Sequence, residues 1–101
     1  MNDERKILER VLDEATGFLD SLPGRRVAAR ADVEGVATAL RRPLPDEGAE
    51  PLEVVEELIA GAEPGVVAMP SGRFFGWVIG GVLPATLAAD WLTSTWDQNA
   101  G

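Results

Sequence analysis

A chain of 101 residues makes one small domain around a single core, and its 46% hydrophobic and 26% charged residues exclude wholesale disorder and fibrous repeats. Nine basic against seventeen acidic residues leave a net charge of -8, so nucleic-acid phosphates and anionic membrane surfaces are repelled. Neither cysteine nor histidine occurs, which removes disulfides, thiolate chemistry and the commonest general base and metal ligand.

The opening Met1-Asn2-Asp3-Glu4-Arg5-Lys6 is of mixed sign, unlike the basic-then-apolar layout of a secretion signal, and a cytoplasmic location is expected. Ile7, Leu8, Val11, Leu12, Ala15, Phe18, Leu19 and Leu22 then recur at three- and four-residue steps and predict a helix over residues 3–21 with one apolar stripe. Pro23-Gly24 ends it, because proline lacks the amide hydrogen and glycine takes up turn conformations freely. Residues 25–30 read as an extended connector. Asp32 is a candidate N-cap for a short helix over 32–41 in which Val33, Val36, Ala37 and Leu40 share a face. Pro43 and Pro45 stop it, and residues 43–48 are a turn-rich linker. Pro51 suits the first position of a third helix, 51–62, with Leu52, Val55, Leu58, Ile59 and Ala62 inward and Glu53, Glu56 and Glu57 toward water. Pro64-Gly65 closes it.

Residues 74–89 carry no charge, yet they are fewer than the roughly 20 that a spanning helix needs and include three glycines and a proline, so no membrane span is expected. Residues 74–79 are expected to be irregular or briefly extended, Gly80-Gly81 a turn, and Pro84 the opening of a fourth helix over 84–97. Leu87, Ala88, Trp91, Leu92, Thr95 and Trp96 would form its apolar face. Gly76, Gly80 and Gly81 are expected where dihedrals or close packing exclude a side chain. The fold class is all-α, three to four helices with one irregular or short extended segment.

Candidate chemistry is sparse. Asp46, Glu47, Glu50, Glu53, Glu56 and Glu57 lie close together, but no calcium-loop spacing is present and a solvated acidic face accounts for them, so no metal site is expected. Gly80-Gly81 before a helix is neither a Walker loop nor a dinucleotide fingerprint, and a plain turn is the better reading. Ser71, Thr93 and Ser94 have no visible base to activate them. Arg25-Arg26 and Arg41-Arg42 stand at helix exits, where the helix dipole and solvation explain them. Trp77, Trp91 and Trp96 with Phe74 and Phe75 gather nearly all the aromatic area in the final third, and an apolar face that three helices cannot cover is an interface.

The run Arg73-Phe74-Phe75-Gly76-Trp77-Val78-Ile79-Gly80-Gly81 continues through Leu83-Pro84-Ala85, Leu87-Ala88-Ala89-Asp90-Trp91-Leu92 and Trp96-Asp97-Gln98-Asn99. It resembles the pyridoxal-phosphate-dependent amino-acid decarboxylases related to aromatic-amino-acid and glutamate decarboxylase. The resemblance covers essentially all of this chain but only the first part of a typical member, so the chain looks like a truncated enzyme whose large cofactor domain is absent. It implies the N-terminal dimerisation segment of a fold-type I enzyme, a set of helices wrapped around a partner subunit. The expected partners are a second copy or the missing cofactor domain, with an amino acid as substrate of the full-length carboxy-lyase. Trp77, Val78, Ile79 and Asn99 match positions that line the substrate pocket, and Phe74, Phe75, Trp91 and Trp96 match the interface. Family members hold pyridoxal phosphate as a Schiff base on a lysine, stack a histidine on its ring and pair an aspartate with its pyridine nitrogen, all in the large domain. This chain has no histidine and one lysine, Lys6, so no catalytic or cofactor-binding residue and no bound cofactor is expected on it alone. Ser71-Gly72 stands where many relatives read His-Pro, and Ile79 is apolar where some carry a hydroxyl. A second reading is a self-standing acidic helical interaction module that binds a partner helix through its aromatic face.

Overall fold

The structure is a computed structural model and describes residues 3–101. Helix α1 runs Asp3–Ser21 with Asp3 and Glu4 in its first turn, where carboxylates suit the partial positive charge of a helix N-terminus. Its far end is closed locally. The Ser21 hydroxyl donates to the Phe18 carbonyl at 2.7 Å, and the Gly24 and Arg25 amides donate to the Ser21 carbonyl at 3.0 and 2.8 Å. Helix α2, Val33–Leu40, starts on Asp32, whose carboxylate accepts from the Gly35 amide at 2.8 Å. Helix α3, Pro51–Ala62, has its proline at the first position, where the missing amide hydrogen costs nothing. It tightens into a 3-10 turn over Glu63–Gly65. Helix α4, Pro84–Trp96, also opens on proline; the Thr86 hydroxyl accepts from the Leu83 amide at 3.3 Å and donates to the Leu83 carbonyl at 3.0 Å. Among the described residues there are four α-helices and no strand, so the fold is all-α.

Helix α2 crosses the C-terminal end of α3 over a notch made by two glycines. A Cβ on Gly61 would stand 2.5 Å from Leu40 Cδ2, and one on Gly65 would collide with Val36 Cγ2. Gly61 is accordingly the buried residue of α3, and Val36 and Ala37 are half-buried. The crossing also corrects one expectation. Val33, at the start of α2, is exposed instead of sharing the packed face of Val36 and Ala37. On α3 itself Val55, Ile59 and Ala62 turn inward, while Leu52 and Leu58 are exposed because α1 and α2 cover one side only. Helix α1 lies against α3, with Arg10 Nε donating to Glu56 Oε1 at 2.5 Å, and Arg42, just past α2, pairs with Glu57 of α3 at 3.0 Å.

Gly80-Gly81 makes no turn. The chain bends earlier, at residues 76–78, where Trp77 takes a φ of 50° in the left-handed region that a bulky side chain rarely enters. Gly76 fits the expected close packing, since a Cβ there would lie 2.8 Å from Cζ of the Phe74 ring. Gly80 and Gly81 do not, because the segment holding them stands away from its neighbours and leaves open space around both. No Cα of α4 comes within 8 Å of another helix.

This standing-off sets the proportions of the whole. Ala68 and Ser71 join Gly61 as the buried residues among those described. The accessible surface is 8200 Å2, against about 5,500 Å2 for a compact folded chain of 10.8 kDa. The radius of gyration, 15.9 Å, likewise exceeds the about 13 Å of a compact chain of this length.

Candidate functional site

Three seams, two of backbone and one of side chains, join the connector after α1 to the stretch after α3. The Arg30 and Ala31 amides both donate to the Pro64 carbonyl at 2.8 Å, and the Ala68 amide donates to the Val27 carbonyl at 2.9 Å. A third seam is built by side chains. Ser71, 7% exposed, accepts from the Arg73 amide at 3.1 Å, and its hydroxyl lies 3.5 Å from the Leu22 carbonyl. The Arg73 guanidinium donates to the Leu22 carbonyl at 2.8 Å and also to the Arg25 carbonyl. Glu63 ties the seams together, accepting from Arg25 at 2.7 Å and pairing with Arg30. The Arg25 hydrogen bond, helped by the nearby Arg30 charge, holds the Glu63 carboxyl below its ordinary value against the opposing effect of burial. Arg25 in turn rests over the Phe18 ring, 4.6 Å from its centroid.

From this anchored turn the chain leaves as a strap, residues 74–83. Among the described residues, no hydrogen bond ties residues 75–82 to the rest of the molecule. Phe75 is 91% exposed and Trp77 82%, with Val78 wholly exposed. Phe74 is half-buried because its ring folds over Gly76. Beyond the strap, α4 faces α1 across an apolar cleft of about 700 Å3, lined on one side by Leu12, Leu19 and Leu22 and on the other by Leu87, Trp91 and Leu92. Trp91 is half-buried there, whereas Trp96, the last residue of α4, is exposed. The eight expected site residues therefore fall into distinct places. Phe75, Trp77, Val78 and Ile79 form one exposed apolar run on the strap. Trp91 belongs to the cleft, Trp96 to the exposed end of α4, and Asn99 to the tail, where its side chain accepts from the Gly101 amide at 2.9 Å.

Sequence reasoning missed Ser71, Arg73 and Glu63 as anchors. A signal existed for Arg73, the one charged residue between Glu63 and Asp90 in an otherwise apolar and glycine-rich stretch. Arg25, read as a solvated helix exit, is instead half-buried and bound to Glu63, Ser21 and Phe18.

The side chains offer little to catalysis. Thr93 and Thr95 donate to the carbonyls of Ala89 and Trp91, one turn back on their own helix, at 2.8 and 2.7 Å. Among the described residues no group of three acidic side chains converges as a metal site. Lys6 borders a crevice of about 40 Å3 with Asp3 and Glu50, room for about one water, so these residues do not fit pyridoxal phosphate. No described helix is long and apolar enough to cross a membrane. Compared with known protein families, curated proteins and solved structures, the chain matches none of them.

Proposed function

We propose that this chain is the dimerisation and substrate-pocket-lining segment of a pyridoxal-phosphate-dependent amino-acid decarboxylase, whose cofactor, Schiff-base lysine and catalytic groups belong to a separate large domain. The observation that supports the reading is surplus surface. About 2,700 Å2 is exposed beyond what a compact chain of this mass retains, more than the about 800 Å2 each partner loses in a standard interface. Much of it is apolar, on the strap and in the cleft between α1 and α4. Covering such surface is favourable, since burial of apolar area contributes about 25 cal/mol per Å2. In this reading Phe74, Phe75, Trp91 and Trp96 meet the partner subunit, while Trp77, Val78, Ile79 and Asn99 edge the site where an amino acid loses carbon dioxide.

Sedimentation of the chain at tens of micromolar tests the first half. A dimer is expected, and it strengthens with salt, because the net charge of -8 on each copy is screened over about 8 Å at physiological ionic strength. A compact monomer with blue-shifted tryptophan emission at low and high salt would overturn it. The second half is read from the coding sequence that follows Gly101, which is expected to supply a lysine, a histidine and an aspartate in a large domain. An unrelated frame there would favour the self-standing acidic interaction module.

A further inference from the structure

We infer that Arg73 is the positioning residue of the aromatic strap: its guanidinium fixes the direction in which residues 74–83 leave the body of the molecule. The inference deepens the proposed role of the strap and rests on it only for what the strap meets. Three observations carry it. First, the two acceptors, the carbonyls of Leu22 and Arg25, belong to the turn that follows α1, so one side chain clasps that turn from both sides. Second, the donor sits at the root of the strap. Its own amide is held by the buried Ser71 hydroxyl, and the next amide, of Phe74, donates to the Ser71 carbonyl at 3.1 Å. Third, nothing past Phe74 is hydrogen-bonded until Leu83, among the described residues. A segment held at its root alone takes its direction from that root.

The chemistry also explains why a cation stands alone in an apolar stretch. One nitrogen, Nη2, gives a hydrogen to each carbonyl, and donors of this kind carry no need for a carboxylate. A lysine ammonium, with three donors on a stem of similar reach, can serve the same two acceptors, whereas methionine matches the length and offers none.

Because the chain has no cysteine, two can be introduced cleanly, Asp20→Cys on α1 and Val78→Cys on the strap, both at exposed positions. Spin labels on these two, diluted with unlabelled chain so that only distances within one copy are read, report the direction of the strap by pulsed electron-electron resonance. A single narrow distance distribution is expected in the parent and in Arg73→Lys, and one at least twice as broad in Arg73→Met with unchanged far-UV circular dichroism. Equal widths in all three overturn the inference. Should Arg73→Met lose helicity, Arg73→Leu carries the same comparison, since it too offers no donor. Dimerisation measured on the unlabelled proteins is expected to weaken at least tenfold in Arg73→Met and to recover in Arg73→Lys. A parent that shows the change in width but never dimerises leaves Arg73 as the positioning residue and removes the dimerisation reading instead.

Discussion

Glu63 is the single carboxylate on which two arginines of the α1–α2 connector converge, and its ionisation bears on how firmly that connector is held. Its folded-state pKa is lowered from the usual 4.5, chiefly by the Arg25 hydrogen bond. The stabilisation is therefore present above the unfolded value and disappears as pH falls through the lowered folded value, at the acid end of the range. Glu63→Gln removes the charge at every pH. It is expected to lower stability by about 1–2 kcal/mol at neutral pH and to flatten the acid limb of a urea-midpoint profile taken between neutrality and strong acid; an unchanged limb would mean that other carboxylates set it. At this scale the sequence discloses local chemistry well. Asp32, Pro51 and Pro84 act within three or four residues of themselves, and each stands where its residue type predicts. Glu63 with Arg25 and Arg30, and Arg73 with Leu22 and Arg25, are pairs separated by a whole helix or more, and no local pattern marks them.

Between elements, the two glycines of the α2–α3 crossing differ in what lies above them. Leu40 over Gly61 is the far end of a flexible, partly exposed side chain, so Gly61→Ala can push it aside, and the about 1 kcal/mol that alanine gains over glycine within a helix offsets the shift. Val36 over Gly65 is β-branched, with one strongly preferred rotamer in a helix, and cannot swing away. Gly65→Ala is thus expected to destabilise by about 1–3 kcal/mol, with Gly61→Ala near neutral, in paired thermal or denaturant unfolding; reversed signs would show that the backbone there yields more readily than Val36. The helices themselves were legible from periodicity and proline placement. The bend at Trp77 was not, since a glycine pair three residues later advertised a turn that the backbone does not take. Nor was the division of the α1 stripe, which sends Phe18 under Arg25 and leaves Leu12, Leu19 and Leu22 on the cleft facing α4.

For the molecule as a whole, composition announced a foldable domain while concealing how little of it would be covered. Hydrophobic content counts residues, and the surplus of surface comes from where α4 and the strap are placed. The concentration of aromatics in the final third was the legible part of that surface, and Phe75 and Trp77 carry it to the outside. The double variant Phe75→Ser with Trp77→Ser removes apolar area already in water, so its melting temperature at low concentration is expected to stay close to the parent's, consistent with the about 0.5 kcal/mol typical of surface changes. Its self-association at high salt is expected to fall at least tenfold by sedimentation. A large loss of melting temperature would place these rings inside the fold, and unchanged association would move the interface elsewhere, to the cleft.

A segment without hydrogen bonds to its surroundings is also a segment that an endoprotease can draw into its active site, because cleavage needs an extended run of backbone free of other partners. Chymotrypsin, which cuts after aromatic residues, is expected to nick the strap first, after Phe75 or Trp77, and to release α4 from a remnant that keeps α1, α2 and α3 together. Trypsin has one target nearby, the bond after Arg73, and there the side chain it must grip is already engaged by two carbonyls. The ratio of the two digestion rates, followed by mass spectrometry as the chain is concentrated, therefore measures from outside how much of the strap is shielded.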